Sequence, residues 1–438
     1  MPASPHSSAS PNGTPFAKLA VLMVTAFIDM VGLLMIVPLL PFYAESLGGN
    51  GLMVGLLVSS YAVAQLISAP YWGRISDRHG RRPALLVGLT ASAIAYVIFA
   101  YANSLWLLFL SRIVQGAGGG TVSVIQAYVA DATVPEDRAK SLGWLSAATN
   151  AGVVIGPALG SFSMGAGVHA PGLAAAVLCL VNILFAMRYL TESRDMAEAQ
   201  SRPVSKGRSR EALVRVVTHS GEPASRLVWI YSLAMGAFQG MTAILALFLA
   251  ARFAVTTKTI GYVFMYIGAI SMLTRAVILG RAVDRFGELR LSRVGATLLA
   301  LGLAILPFTR PAADAGALAS AFGGSLPVWL ATLAPYVPLA IAVALVPLGT
   351  AFTFPCVTAM LSQVTPSHER GLYMGVQQTF GGMARVIFPV LAGWMFDRVI
   401  ALPFLVSAGL VITTIFLGLG LQAHVRPHRA MAQKIVSG

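Results

Sequence analysis

The sequence predicts an all-α polytopic membrane protein built as two similar six-helix bundles, with about twelve transmembrane helices. Three observations carry this. Of the 438 residues, 57% are hydrophobic and only 11% are charged. Apolar runs long enough to cross a bilayer recur from one end of the chain to the other. Between two of them lies a short basic stretch, Gly73-Arg-Ile-Ser-Asp77-Arg78-His-Gly80-Arg81-Arg82-Pro83. Its frame returns as Gly280-Arg-Ala-Val-Asp284-Arg285-Phe-Gly287, again between apolar runs. The runs are continuous, without the alternating polarity of barrel strands, which excludes a β-barrel.

Taken in order, residues 1–16 are rich in Ser, Pro, Ala and Asn and read as a disordered cytoplasmic tail. They lack the basic, apolar and cleavage regions of a signal peptide, so the first span, near 17–43, is expected to act as an uncleaved anchor. Further spans fall near 51–73, 83–102, 105–130, 141–164 and 171–190, which makes 17–190 the first bundle. Residues 191–225 carry Arg194, Arg202, Lys206, Arg208, Arg210 and Arg215 among Ser, Pro and Gly. They read as a basic, flexible, partly amphipathic linker. The second bundle, 226–424, has spans near 226–250, 258–280, 291–307, 329–358, 371–396 and 400–424. A tail, 425–438, follows.

Lys and Arg fix the orientation. One set of loops holds Arg74, Arg78, Arg81, Arg82, Arg138, Lys140, Arg281, Arg285, Arg290, Arg293 and Arg370, as well as the linker's charges. The other set holds little more than Arg252, Lys258, Arg310 and Arg398. Both termini and the linker are therefore expected in the cytoplasm. A second repeat supports the six-plus-six division. Thr133-x4-Arg138-x4-Gly143-x13-Pro157 returns at the same spacing as Thr365-x4-Arg370-x4-Gly375-x13-Pro389. The extra length in the second half falls between Phe308 and Trp329, an expected external loop.

Composition also excludes other classes. The net charge of +14 sits in loops, where it sets topology, so no nucleic-acid partner is expected. Cys179 and Cys356 lie inside apolar runs and read as packing residues, while all seven histidines fall in loops or termini. That leaves no expected metal site, disulfide framework or intramembrane enzyme centre. There is no G-x-x-x-x-G-K-[ST] phosphate loop, so ATP is not the expected energy source.

These residues resemble the major facilitator superfamily over nearly the whole chain. Gly73 to Pro83 matches that family's signature between spans two and three, with a degenerate copy at Gly280 to Gly287. Leu110-x-Arg112-x-x-Gln115-Gly116-x-Gly118 is similar to its span-four motif. Gly143-x8-Gly152-x3-Gly156-Pro157-x-x-Gly160 resembles the span-five motif of its drug/proton antiporter branch. Ser161 departs from that pattern, which ends in a second Gly. Asp29-x-x-Gly32, followed by Pro38 and Pro41, is similar to span one of multidrug and tetracycline exporters. The resemblance implies the major facilitator fold, no cofactor beyond protons as coupling ion, and export of a lipophilic small molecule by alternating access. A monomer in the inner membrane is expected. The alternative is a proton-coupled symporter or facilitator for a metabolite, lipid or anionic amphiphile. A non-transporting receptor on the same fold is a further alternative.

Candidate site residues follow. An intramembrane acid is costly, so Asp29 is expected to face a cavity and exchange a proton or meet substrate; the alternative is a helix-packing acid. Arg112 is its expected partner. With Gln115, Gly116 and Gly119 it shares one face of span four; the alternative is a structural anchor. Asn150, Gln239, Tyr266, Gln378 and Arg385 are candidate cavity groups, though residues such as the first three more often serve packing than ligand binding. Gln378 and Arg385 share a helix face. Arg275 is expected to snorkel to the cytoplasmic surface. The three membrane arginines against one acid lean away from polycations and leave neutral or anionic amphiphiles open.

Gly73, Asp77, Arg78, Gly80, Arg81, Arg82 and Asp131, with Gly280, Asp284, Arg285 and Gly287, are expected at a cytoplasmic gate. There the small glycines allow close helix approach and Arg81 and Arg82 pair with Asp131. The resemblance implies that Asp77 latches onto the start of span eleven when the outside is open. Gly143, Gly152, Gly156, Pro157 and Gly160 are expected to form a smooth, bent face against a second-half helix. Tetracycline exporters carry an acid in span three, but Ala93-Ile94-Ala95-Tyr96 has none, so tetracycline specificity is not carried over.

Overall fold

The computed structural model describes residues 15–192, 208–309 and 336–424. Among these residues there are helices and turns but no strands. That is the outcome hydrocarbon dictates, because every backbone N–H and C=O must then find a partner within its own segment. Eleven described helical segments are long and apolar enough to cross a membrane. A twelfth, Leu402–Leu417, is apolar but only 16 residues long.

The first half comprises α1 (Pro15–Ile36), α2 (Leu40–Ser46), α3 (Gly51–His79), α4 (Arg81–Ala100), α5 (Leu105–Gly118), α6 (Thr121–Ala132), α7 (Pro135–Ser163) and α8 (Ala170–Tyr189). Span one is broken into α1 and α2 beside Pro38, which has no N–H to donate. Span four is broken into α5 and α6 at Gly119-Gly120. The second half comprises α10 (Pro223–Phe253), α11 (Ile260–Leu273), α12 (Leu279–Phe286), α13 (Glu288–Ile305), α14 (Val337–Val364), α15 (Arg370–Phe396) and α16 (Leu402–Leu417). A five-residue π-turn, Thr274–Ile278, joins α11 to α12 within one span.

Two expected elements shift. The tenth span, expected at 329–358, forms a helix over Val337–Val364, and residues 329–335 and most of the loop after Phe308 lie outside the described residues. Part of the linker, read as flexible and partly amphipathic, is an ordered helix, α9 (Arg208–Thr218). Its Ala212 and Val216, four apart, are buried with Val228, Tyr231 and Tyr373 of the second half. Residues 193–207, and the tails 1–14 and 425–438, lie outside the described residues.

The repeated basic stretch has a structural reason. Gly80 closes α3 at φ +97° and Gly287 closes α12 at φ +76°, both in a region that side chains rarely enter. Each lets a helix reverse at once into the next.

Within the first half, α1 packs on α7 and α8, and α4 on α5 and α8. Within the second, α13 packs on α14, and α10 on α15 and α16. Two seams join the halves, α3 against α15 and α7 against α11. Both are tight near the end that holds Gly51 and Ser161. A Cβ on Gly393 would lie 2.0 Å from the Gly51 carbonyl oxygen, and one on Gly261 would lie 2.0 Å from that of Pro157. At the opposite end, a Cβ on Gly73, Gly143, Gly280 or Gly375 would meet no atom within 4 Å. The halves touch at one end and stand apart at the other.

Candidate functional site

A cavity of about 400 Å³ lies between the halves. The first half lends it Tyr61, Gln65, Arg112, Asn150 and Pro157. The second lends Gln239, Thr242, Ser271, Arg275, Thr350 and Arg385. Leu33, Phe238, Phe264, Ile267 and Phe354 supply apolar wall. The volume and mixed lining suit a drug-sized molecule.

Arg112 is 3% exposed and donates to the Gln115 side-chain oxygen, and its guanidinium lies over the Tyr61 ring, 4.6 Å from the centroid. The shared face of Arg112 and Gln115 is thus realised. The expected pairing of Arg112 with Asp29 is not. Asp29 Oδ2 instead accepts a 2.9 Å hydrogen bond from the Thr121 hydroxyl. The break at Gly119-Gly120 explains this: Thr121 opens α6 beside Asp29, while Arg112 on α5 turns toward Tyr61 of α3.

Asp29 lines a separate groove of about 560 Å³ among α1, α6 and α7, with Ser123, Gln126, Ser146, Thr149 and Asn150. Asn150 lines both spaces. The acid and the arginines therefore sit in adjoining compartments.

The end at Gly51 is closed by polar bonds across both seams. Asp397, after α15, accepts from the Gly51 N–H at 2.6 Å and the Leu52 N–H at 2.8 Å, the first residues of α3. Ser59 donates to the Val386 carbonyl at 2.6 Å. On the other seam, Ser161 donates to the Thr257 carbonyl at 2.7 Å and accepts from the Gly261 N–H at 2.8 Å.

At the open end, Arg81 is 8% exposed and gathers Asp77 at 3.0 Å, Asp131 at 2.9 Å and Ser76 at 2.8 Å. The expected Arg81–Asp131 pair is present. Arg82 does not join it, donating instead to the Met187 carbonyl. Glu192 accepts from the Arg81 and Arg82 backbone N–H groups at 2.9 and 3.1 Å, capping the start of α4. The α15 start is not bound by Asp77, and Arg370 there donates to the Ser362 carbonyl. In this conformation Gly73 and Gly280 bring no helix close. Arg78, Asp284 and Arg285 are exposed at the same end.

Several expectations are corrected. Gly152, Gly156 and Gly160 pack against Phe27, Val31 and Met35 of α1, in their own half, rather than against a second-half helix. The face of α7 that meets α11 carries Val154, Pro157 and Ser161 instead. Tyr266 is 40% exposed and donates to the Ala340 carbonyl, outside the cavity lining. On α11 the lining residues are Phe264, Ile267, Gly268 and Ser271, and Tyr266 lies about 100° off that stripe. Gln378 is exposed and does not line the cavity. It shares an azimuth with Arg385 but sits about 10 Å along the axis, toward the open end. Arg275 is exposed, and it also lines the cavity from within the π-turn.

Sequence reasoning did not single out Tyr61, Gln65, Thr121, Glu192 or Asp397. Gln65 lies in an apolar run, a signal in plain view, and its amide donates to the Gly119 carbonyl. The partners of Asp397 lie 346 and 345 residues away, beyond any local pattern.

The family model described as Major Facilitator Superfamily matches residues 22–323 and 310–435. Multidrug resistance protein 2 of Bacillus subtilis (strain 168) is 26% identical over 406 residues, covering 92% of this chain and 93% of that protein. Tetracycline resistance protein, class C, of Escherichia coli is 34% identical over 301 residues, covering 66% of this chain and 73% of that protein. Among solved structures, the nucleoside transporter NupG superposes with a TM-score of 0.71 at 14% identity, covering 92% of this chain and 98% of that one. The human organic anion transporter MFSD10 (TETRAN) superposes at 0.62 and 22% identity, covering 93% of this chain and 100% of that one. At these identities the two structures speak for the fold alone.

Proposed function

The chain belongs to the major facilitator superfamily of membrane transporters, and from that premise we propose that it is a proton-coupled antiporter that exports lipophilic small molecules. The observation that carries the proposal is a cavity shared by two halves that touch at one end only, beside a groove holding an intramembrane carboxylate. The sequence relatives named as multidrug and tetracycline resistance proteins support the export direction.

With both termini in the cytoplasm of an inner-membrane protein, the open end faces the cytoplasm and substrate enters there. The bonds of Asp397 and Ser161 then break as the outside opens. On the other side, Gly73 and Gly280 meet second- and first-half helices, and Asp77 leaves Arg81 for the start of α15. Asp29 carries the proton. Its groove shares Asn150 with the cavity, so a change of charge at Asp29 is felt where substrate sits. Arg112 stays protonated and serves to hold Tyr61 and Gln115 in place. The transporter works as a monomer, and protons are its only coupling ion.

The test uses proteoliposomes with a trapped pH-sensitive dye and an imposed proton gradient, challenged with a panel of amphiphiles. Wild type is expected to show substrate-dependent proton flux, and Asp29→Asn to lose it. Substrate movement without proton flux in either protein would make this a facilitator. Coupled flux that survives Asp29→Asn would remove the proton from Asp29.

A further inference from the structure

The central cavity has an electrostatic imbalance that the proton-coupling scheme does not use. Three guanidinium groups line it, Arg112 from the first half and Arg275 and Arg385 from the second, and no acidic residue lines it. Asp29, the intramembrane acid singled out in the sequence, faces the adjoining groove instead.

The three arginines are not equivalent. Arg112 is buried, donates to Gln115 and lies over the Tyr61 ring, with its Nε unpartnered. Arg275 and Arg385 form no ion pair and donate no hydrogen bond among the described residues. Arg275 also sits in a π-turn, where one extra residue re-aims the side chains of a helix that otherwise carries an apolar stripe into the cavity. Arg275 is exposed and Arg385 half-buried, so both are open to the cavity, and a cation held at membrane depth with no protein counter-charge is met by solvent or by an anion that enters. Two such cations without a protein partner leave room for an external one.

The shape of that counter-charge follows from guanidinium chemistry. The planar fork binds carboxylate, sulfonate or phosphate oxygens in pairs. The same cavity has apolar wall from Leu33, Phe238, Phe264 and Phe354. We propose that the substrate of this cavity is an amphipathic organic anion, its acidic head held between Arg275 and Arg385 and its apolar body laid on the phenylalanines. The assignment rests on the transport reading above only in taking this cavity as the substrate site.

Two fluorescent probes differ in the head group alone: 8-anilinonaphthalene-1-sulfonate and the neutral N-phenyl-1-naphthylamine. Saturable binding of each is measured with the full chain in nanodiscs of zwitterionic lipid, after subtraction of empty nanodiscs. The sulfonate is expected to bind at least about tenfold more tightly than the neutral probe, as one charge-assisted pair would give. Arg275→Gln and Arg385→Gln should each weaken the sulfonate by about ten- to a hundredfold and leave the neutral probe unchanged. Arg290→Gln, an exposed residue outside the cavity, controls for net charge and should leave both unchanged.

Equal binding of the two probes to the wild type would overturn the proposal even if the variants fail to fold. So would displacement of the sulfonate by the cation tetraphenylphosphonium at equal concentration, or by added phosphatidylglycerol, which would make the site a cation site or a lipid-headgroup site. The two readings fail separately. Selective sulfonate binding without Asp29-dependent proton flux sinks the antiport scheme and leaves the anion assignment standing. Coupled flux with no preference for the sulfonate does the reverse.

Discussion

Replacing Asp397 with Ala should unlock the closed end of the transporter. Its carboxylate accepts two hydrogen bonds from the first-turn N–H groups of α3, at 2.6 and 2.8 Å. Hydrogen bonds to a charged group contribute about 1.5–3 kcal/mol each when shielded. Asp397 is exposed, so solvent competition brings the pair down to about 1–2 kcal/mol, including the attraction of a carboxylate to a helix N-terminus. That corresponds to about a five- to thirtyfold rise in the ratio of open to closed molecules at this end. Asp397→Asn keeps one acceptor and should shift the ratio by less. Spin labels at Asn103→Cys in the first half and Lys258→Cys in the second would report it, because the native Cys179 and Cys356 are buried. Pulsed dipolar spectroscopy should show one short distance population in the parent. A second, longer population should grow in Asp397→Ala. Ser161→Ala removes the hydroxyl that bonds Thr257 and Gly261 on the other seam. The two sites share no partner, so their effects should add. Distance distributions unchanged in the double variant would refute the claim that these bonds hold the end shut.

Three further outcomes follow from the packing. Gly73→Leu fills a position with no neighbour here but one expected to be crowded once this end closes. It should leave probe binding intact, abolish transport, and hold labels at the open end at their long distance. Gly261→Val places a side chain where even a Cβ would lie 2.0 Å from the Pro157 carbonyl oxygen. It should separate α7 from α11 and expose a cysteine at Thr257 to an impermeant maleimide. Glu192→Ala strips a carboxylate from two N–H groups that open α4. A loss of about 1–2 kcal/mol is expected, read as a lower midpoint of thermal unfolding in detergent with probe affinity unchanged.

The fold was legible because hydrocarbon imposes a length and a polarity on every span. The loop signature was legible because its last glycine must turn at positive φ in both halves, Gly80 and Gly287. Azimuth on a helix was only half legible. Arg112 and Gln115 share a face as spaced, yet Tyr266 is one residue away from the cavity stripe and Gln378 two turns too far along its axis. A stripe of small residues announces close packing without naming the partner, and so Gly152, Gly156 and Gly160 meet α1. Ser161 stands where the motif has glycine, and nothing in the motif announces that its hydroxyl bridges the two halves. Contacts such as that of Asp397 with Gly51 join residues whose proximity exists only after both halves have folded. The role of Arg275 was hidden by the π-turn, which breaks the 3.6-residue period used to place it.

The separation of Asp29 from the arginines also makes a prediction about driving force. If the cavity carries an organic anion outward while one proton enters at Asp29, each cycle moves two elementary charges in the same electrical sense. The membrane potential is worth about 2.3 kcal/mol per charge per 100 mV, so such a cycle gains about 4.6 kcal/mol per 100 mV. A neutral substrate would gain about half of that, and a monovalent cation exchanged for one proton would gain nothing from the potential. The charge of the substrate is therefore readable from voltage alone. In proteoliposomes with no pH gradient, a potassium diffusion potential set with valinomycin, negative on the side of the termini, should drive export of the sulfonate probe. Arg385→Gln, which weakens its binding, should need more probe to reach the same rate while keeping the same dependence on voltage, because the charges moved per cycle are unchanged. Export indifferent to the imposed potential would mean that the proton and substrate charges cancel. Arg275 and Arg385 would then be holding something other than an anion that crosses the membrane.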